Sequence, residues 1–196
     1  YVAEGDRIER LRDGDGNGSL ETRQLVTDNI PAPVGHSSRT LHFGPDGKLY
    51  VSAGSSCNFC VEDDPRRAAI LRFNPDGSIP ADNPFATDTD ERRRPLWAWG
   101  LRNSVDFLWT PGGELWANHN GSDGLGDDLP PEEIVIPVQR GAWHGWPYCY
   151  TPGVDVVSGP EVQDTRMALP DGRTCDQAVA ARFTAPAHSA PLGMTL

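Results

Sequence analysis

The chain has 196 residues, a net charge of −11, 21 glycines and 18 prolines. That charge argues against nucleic acid or an anionic membrane as a partner, and no apolar run reaches the roughly 20 residues of a membrane span. The length allows one domain or most of one, and the glycine and proline content predicts many turns.

Tyr1-Val2-Ala3 reads as a strand already under way, and Asp6 to Leu11 as another. Asp13-Gly14-Asp15-Gly16-Asn17-Gly18-Ser19-Leu20-Glu21 then opens like a calcium loop, with Asp13, Asp15 and Asn17 as ligands and glycine at the sixth place. Gln24 stands where a bidentate Glu is wanted and no helices flank the loop, so an acidic turn is the competing reading; a calcium here is structural.

Arg39 to Val51 reads as strand, Pro45-Asp46-Gly47 turn, strand. Ala69 to Phe73 is a further strand before the turn Asn74-Pro75-Asp76-Gly77. Val105 to Ala117 repeats the hairpin, with Pro45 on Pro111, Gly47 on Gly113, Leu49 on Leu115 and Tyr50 on Trp116. Glu133 to Val138 repeats the outer strand, and Pro137 predicts an edge position. A third copy starts at Leu192-Gly193-Met194.

Short strands in periodic units with no convincing helix predict an all-β fold, a β-propeller in preference to a sandwich. A propeller of at least four blades does not fit in roughly three units, so residues 1–196 are expected to be a partial propeller domain truncated at both ends. Cys57, Cys60, Cys149 and Cys175 lack the two close pairs of a zinc ribbon. Placed in loops of an all-β chain they predict disulfides Cys57–Cys60 and Cys149–Cys175, an oxidising compartment, and a periplasmic or secreted protein.

The start of a hairpin's first strand and the end of its second lie at one end of the sheet. His36 precedes Leu41 by the interval that separates Arg102 from Phe107, so the repeat makes His36 and Arg102 equivalent, and Ser37 and Asn103 with them. The second strands return to the same face at Gly54-Ser55-Ser56 and at Asn118-His119-Asn120-Gly121. His36, Arg102, Asn103, His119, Asn120 and His188 are thus expected at one mouth of the channel. Histidine there can take a proton from a hydroxyl, and a guanidinium can stabilise a developing oxyanion. Asn side chains, loop carbonyls, Asp127 and Asp128 can hold a hard cation.

At these residues the chain resembles the glucose/sorbosone dehydrogenase family, through Gly35-His36-Ser37-Ser38-Arg39, Gly44-Pro45-Asp46-Gly47, Gly100-Leu101-Arg102-Asn103, Gly126-Asp127-Asp128-Leu129-Pro130-Pro131 and Gly145-Trp146-Pro147; the last two, with Gly54 to Cys60, look like its sorbosone branch. The resemblance implies a six-bladed propeller that oxidises a small sugar or sugar aldehyde with pyrroloquinoline quinone and calcium, passing electrons to an external acceptor. His36 is then the general base and Arg102 stabilises charge on the reduced cofactor. Asn103, His119, Asp127, Asp128 and His188 contact cofactor or substrate, and Asn120 and Gly121 offer carbonyls to the metal. The glucose branch often carries Asp before this histidine; Gly35 stands here, so another group has to orient the imidazole. Basic residues of later blades are also missing, so the chain alone is not expected to turn over. The rivals are a metal-dependent sugar lactonase, which wants a ring of carboxylates instead of His and Arg, and a non-catalytic binding propeller with an apolar channel.

Overall fold

The computed structural model describes residues 1–157 and 159–196. Among these the only helical turns are the 3-10 turns Glu91–Arg93 and Cys175–Gln177; the rest is strand and loop. No helix among the described residues is long and apolar enough to cross a membrane.

Strands β1 (Val2–Glu4), β2 (Arg7–Arg12) and β3 (Thr22–Thr27) form an antiparallel meander. A second meander runs β4 (Leu41–Phe43), β5 (Leu49–Ala53), β6 (Ala69–Phe73), β7 (Leu96–Trp99). The third sheet starts the same way with β8 (Phe107–Trp109), β9 (Leu115–His119) and β10 (Glu132–Pro137). The chain then detours through a ribbon of β11 (Cys149–Tyr150) and β13 (Val162–Gln163), with β12 (Asp155–Val156) between them in sequence, and returns as β14 (Phe183–Ala185) beside β10.

The repeated hairpins fold alike because their turns ask the same of the backbone. Gly47 and Gly113 have φ of +70° and +84°, which a side chain disfavours. In the first turn Gly44 N–H donates to Lys48 O and Gly47 N–H to Gly44 O; Thr110 to Glu114 and Gly113 to Thr110 repeat this, all at 2.9 Å.

Every residue of β5 and β6 is buried, since both faces of that sheet are covered. Leu49, Val51, Leu71 and Phe73 pack with Ile8 and Ile30. Tyr50 and Ile70 point the other way, onto Phe107, Ala117 and Ile136 of the third sheet. The alternation of side chains along a strand thus stacks the sheets face to face, in the manner of propeller blades.

Two strand expectations change. β10 is interior, paired with β9 on one side and β14 on the other. Pro137 is its last residue, and the next N–H, of Val138, resumes pairing with Leu115 O at 2.8 Å, so the missing donor costs little. The segment expected as a third copy forms no strand. Positive φ at His188 and Ala190, with Pro191 after them, breaks the extended run, and side chains bind its backbone instead: Asn118 Nδ2 donates to Leu192 O at 2.6 Å, and Met194 N–H donates to Asp106 Oδ2 at 2.9 Å.

Candidate active site

The equivalence of His36 and Arg102 is realised as adjacency through one residue. Ser55, just past the end of β5, donates its N–H to Arg102 O at 2.7 Å and accepts the His36 N–H at its carbonyl at 2.9 Å. Gly54 makes the approach possible: a Cβ there would lie 2.5 Å from His36 Cβ and 2.7 Å from Asn103 Oδ1.

The imidazole of His36 is half-buried, and Nδ1 lies 2.9 Å from Ser55 Oγ and 3.1 Å from Ser55 O. A carbonyl only accepts, and the Ser55 hydroxyl proton is donated to Cys57 O at 2.7 Å. Nδ1 therefore carries the proton, and neutral His36 presents a bare Nε2. Burial first, then the charge of Arg102, lowers its pKa below the ordinary 6.5, so near neutral pH the base is free to accept. Ser55 is the orienting group that sequence reasoning left unnamed. Gly35 cannot supply it: its φ is +65°, and a Cβ there would collide with the carbonyls of Ser55 and Ser56.

Arg102 is buried, and burial lowers its pKa. Nε donates to Asn58 O (2.9 Å), Nη2 to Asn58 Oδ1 (2.9 Å) and Nη1 to Asn120 O (3.0 Å). The remaining guanidinium N–H groups are left for an anionic oxygen. Asn103 Nδ2 donates to Asn120 Oδ1 at 3.2 Å, and Asn120 Nδ2 to Pro191 O at 3.1 Å. Gly121 N–H donates to Glu132 Oε2 at 2.6 Å; Glu132, its pKa raised by burial, also accepts from the backbone of Ala190 and His188. His188 stands at the exposed rim, with Nε2 3.1 Å from Gly126 O, which chiefly raises its pKa, and Nδ1 3.4 Å from Asp123 Oδ1.

The other predicted residues lie outside this hydrogen-bond network. His119 is buried, near enough to Arg102 and His36 for their charges to lower its pKa further after burial has done so. Side chains alternate along β9, and His119 faces Glu133 across the strand pair, Nδ1 3.7 Å from Oε2, where burial drives its pKa to about 3. Asp127 and Asp128 are exposed, one and two residues beyond the Gly126 carbonyl that His188 meets. Asp13 and Asp15 sit in a distant exposed turn with Glu21 as third carboxylate, their oxygens within 4.8 Å of one another. In that turn Asp13 accepts N–H groups of Gly16 and Gly18, and Asn17 caps Ser19. Trp143 and Trp146 are buried, and Trp143 stacks on Trp99 beside the Cys149–Cys175 disulfide.

The structure also adds residues. Asn58 and Asp123 approach the cluster from loops whose side-chain partners lie far away in sequence. Behind the cluster, Glu133 Oε2 and both carboxylate oxygens of Glu161 are buried without partners among the described residues. Burial raises the pKa of both acids, Glu133 to about 7. Both predicted disulfides are formed.

A family model described as Glucose / Sorbosone dehydrogenase matches residues 2–171. The chain is 32% identical over 115 residues to the aldose sugar dehydrogenase YliI of Escherichia coli K12, covering 57% of this chain and 29% of that protein. Among solved structures, the calcium structure of the Trichoderma reesei family AA12 enzyme superposes with a TM-score of 0.74 at 21% identity, covering 98% of this chain and 54% of that one. The holo pyranose dehydrogenase PQQ domain of Coprinopsis cinerea gives 0.71 at 21% identity, with 99% and 53% covered. These two likenesses concern the fold. The chain spans under a third of the length of the curated relative, and about half that of the solved ones.

Proposed function

We propose, from the premise that this chain belongs to the glucose/sorbosone dehydrogenase family, that it carries the base, the arginine and part of the cofactor cradle of a pyrroloquinoline quinone-dependent dehydrogenase of sugars or sugar aldehydes. One observation carries this reading: an imidazole whose Nδ1 proton is held by Ser55 while Nε2 stays bare, next to a buried guanidinium with N–H groups to spare.

His36 Nε2 takes the proton of the substrate hydroxyl, and the Ser55 carbonyl and Oγ steady the imidazolium that forms. Bound pyrroloquinoline quinone supplies the hydride acceptor. Arg102 offers its free N–H groups to the oxygen on which charge develops, and Asn103 and Asn120 fix the surrounding geometry. Asn120 and Gly121 would offer their carbonyls to a calcium ion at the mouth; Asn120 O gives one lone pair to Arg102 and keeps another. His188, Asp127 and Asp128 stand at the rim on the substrate side. Further blades complete a six-bladed ring and add cations for the cofactor, electrons leave to an external acceptor, and the two disulfides support a periplasmic or secreted location.

The test uses the whole protein. Apo-protein receives pyrroloquinoline quinone and calcium, then aldoses and sorbosone, while a dye acceptor is followed. Dye reduction that vanishes in His36→Ala supports the reading. No cofactor spectrum and no reduction with any sugar would sink it, and assays for lactone hydrolysis and glycan binding would then separate the two rivals.

A further inference from the structure

We propose that Asn58, framed by the Cys57–Cys60 disulfide, is the positioning residue of Arg102, so that a dithiol reductant acting on this disulfide disarms the site without unfolding the protein.

Two of the three side-chain bonds of Arg102 go to this one residue, to its main-chain O and its Oδ1, both at 2.9 Å. Among the described residues no carboxylate pairs with Arg102. A neutral amide thus sets the direction of the guanidinium without quenching its charge, which a carboxylate at the same place would do.

Asn58 is itself held on two sides. Asp123 N–H donates to its Oδ1 at 2.9 Å, and its Nδ2 donates to Asp123 O at 3.1 Å. Arg166 buttresses the pair, donating to Asp123 O at 2.6 Å with its guanidinium 4.1 Å from the centre of the Phe59 ring. The preceding residue reaches the other half of the site, because Cys57 O takes the Ser55 hydroxyl proton that commits Ser55 Oγ to His36 Nδ1. One short loop therefore governs both the arginine and the tautomer of the base.

A disulfide's effect on stability grows with the loop it closes, and the sequence separation here is 3, against 26 for Cys149–Cys175. Holding Asn58 in register accounts better for such a small ring. Cys57 and Cys60 are partly exposed whereas Cys149 and Cys175 are buried, so a reductant meets the first pair before the second. In the reduction the Cys57–Cys60 S–S bond takes two electrons and two protons from the dithiol, giving two thiols and the dithiol's own disulfide.

The proposal rests on the dehydrogenase reading only for the role of Arg102; the clamp itself is read without cofactor. In the wild-type protein the Arg102 Nε–H is followed by NMR hydrogen exchange before and after mild dithiol treatment, and in Asn58→Ala and the double variant Cys57→Ser/Cys60→Ser. Exchange at that proton at least tenfold faster in all three, with an unchanged melting temperature, is expected. Affinity for pyrroloquinoline quinone is expected to fall at least tenfold in parallel, with the sugar KM unaltered. Unchanged exchange on reduction of the wild type overturns the proposal, whatever the variants do. Faster exchange in a wild type that binds no quinone leaves the clamp standing and removes the dehydrogenase reading.

Discussion

The His36 unit and the Arg102 unit share a backbone and differ in what conditions their key side chain. At equivalent places Thr40 N–H is latched by Ser52 Oγ at 3.1 Å and Asp106 N–H by Asn118 Oδ1 at 3.0 Å. The first unit reaches its fourth strand through residues 74–95. The second reaches its own through residues 138–182, an excursion that holds the β11–β13 ribbon and the Cys149–Cys175 disulfide. The repeat decides where a side chain emerges; the loops decide its protonation and charge. They also act crosswise, since the loop after β5 in the first unit grips the arginine of the second.

The sharpest break in this comparison is His36→Ala, expected to lower kcat about 10³-fold while leaving quinone affinity near wild type, as measured by single-turnover kinetics and a binding titration. Next in size is the long excursion: Cys149→Ser with Cys175→Ser should lose about 3 kcal/mol in denaturant unfolding, a contrast that disappears if the Cys57–Cys60 pair costs as much. Arg102→Gln should reduce kcat about 10²-fold and also move a pH profile. Burial and, after it, the guanidinium depress the His36 pKa, so the acid limb of kcat/KM lies below 6.5 in the wild type and shifts upward when the variant removes the second cause. The sign follows from the base being active only when unprotonated, with activity lost as pH falls through its pKa. A limb that stays put would show the two units to be electrostatically independent. The smallest effect belongs to Ser55→Ala, about fivefold on kcat, because the Ser55 carbonyl still accepts from Nδ1 when the hydroxyl is gone.

Much of this was legible in the chain itself. Turn glycines at 47 and 113, alternation through Leu49 to Val51, and matched intervals before Leu41 and Phe107 sufficed for the hairpins and for the meeting of His36 with Arg102. The all-β character and both disulfides followed from turn content and loop cysteines. What escaped depends on distant partners. Asn58 reads as an ordinary loop residue until Arg102 and Asp123 close on it. β7, with Trp97 and Trp99, carries no turn signal that marks it as an outer strand. The burial of His119 against Glu133 escaped because that partner comes from β10, the next strand of the sheet. β10 was placed at an edge on the strength of Pro137, but a proline at a strand's last position leaves the ladder before it intact.

Gly35 has a consequence for how this site can vary. Its left-handed backbone runs against the Ser55 and Ser56 carbonyls, so the space beside the histidine is filled by main chain. An aspartate at position 35 would require that backbone to flip and the Ser55–Ser56 strand end to withdraw, which would release the imidazole from its present partner. The two ways of steering the base thus exclude each other at this site, and Gly35→Asp alone is expected to displace the Ser55 carbonyl instead of adding a second partner to the imidazole.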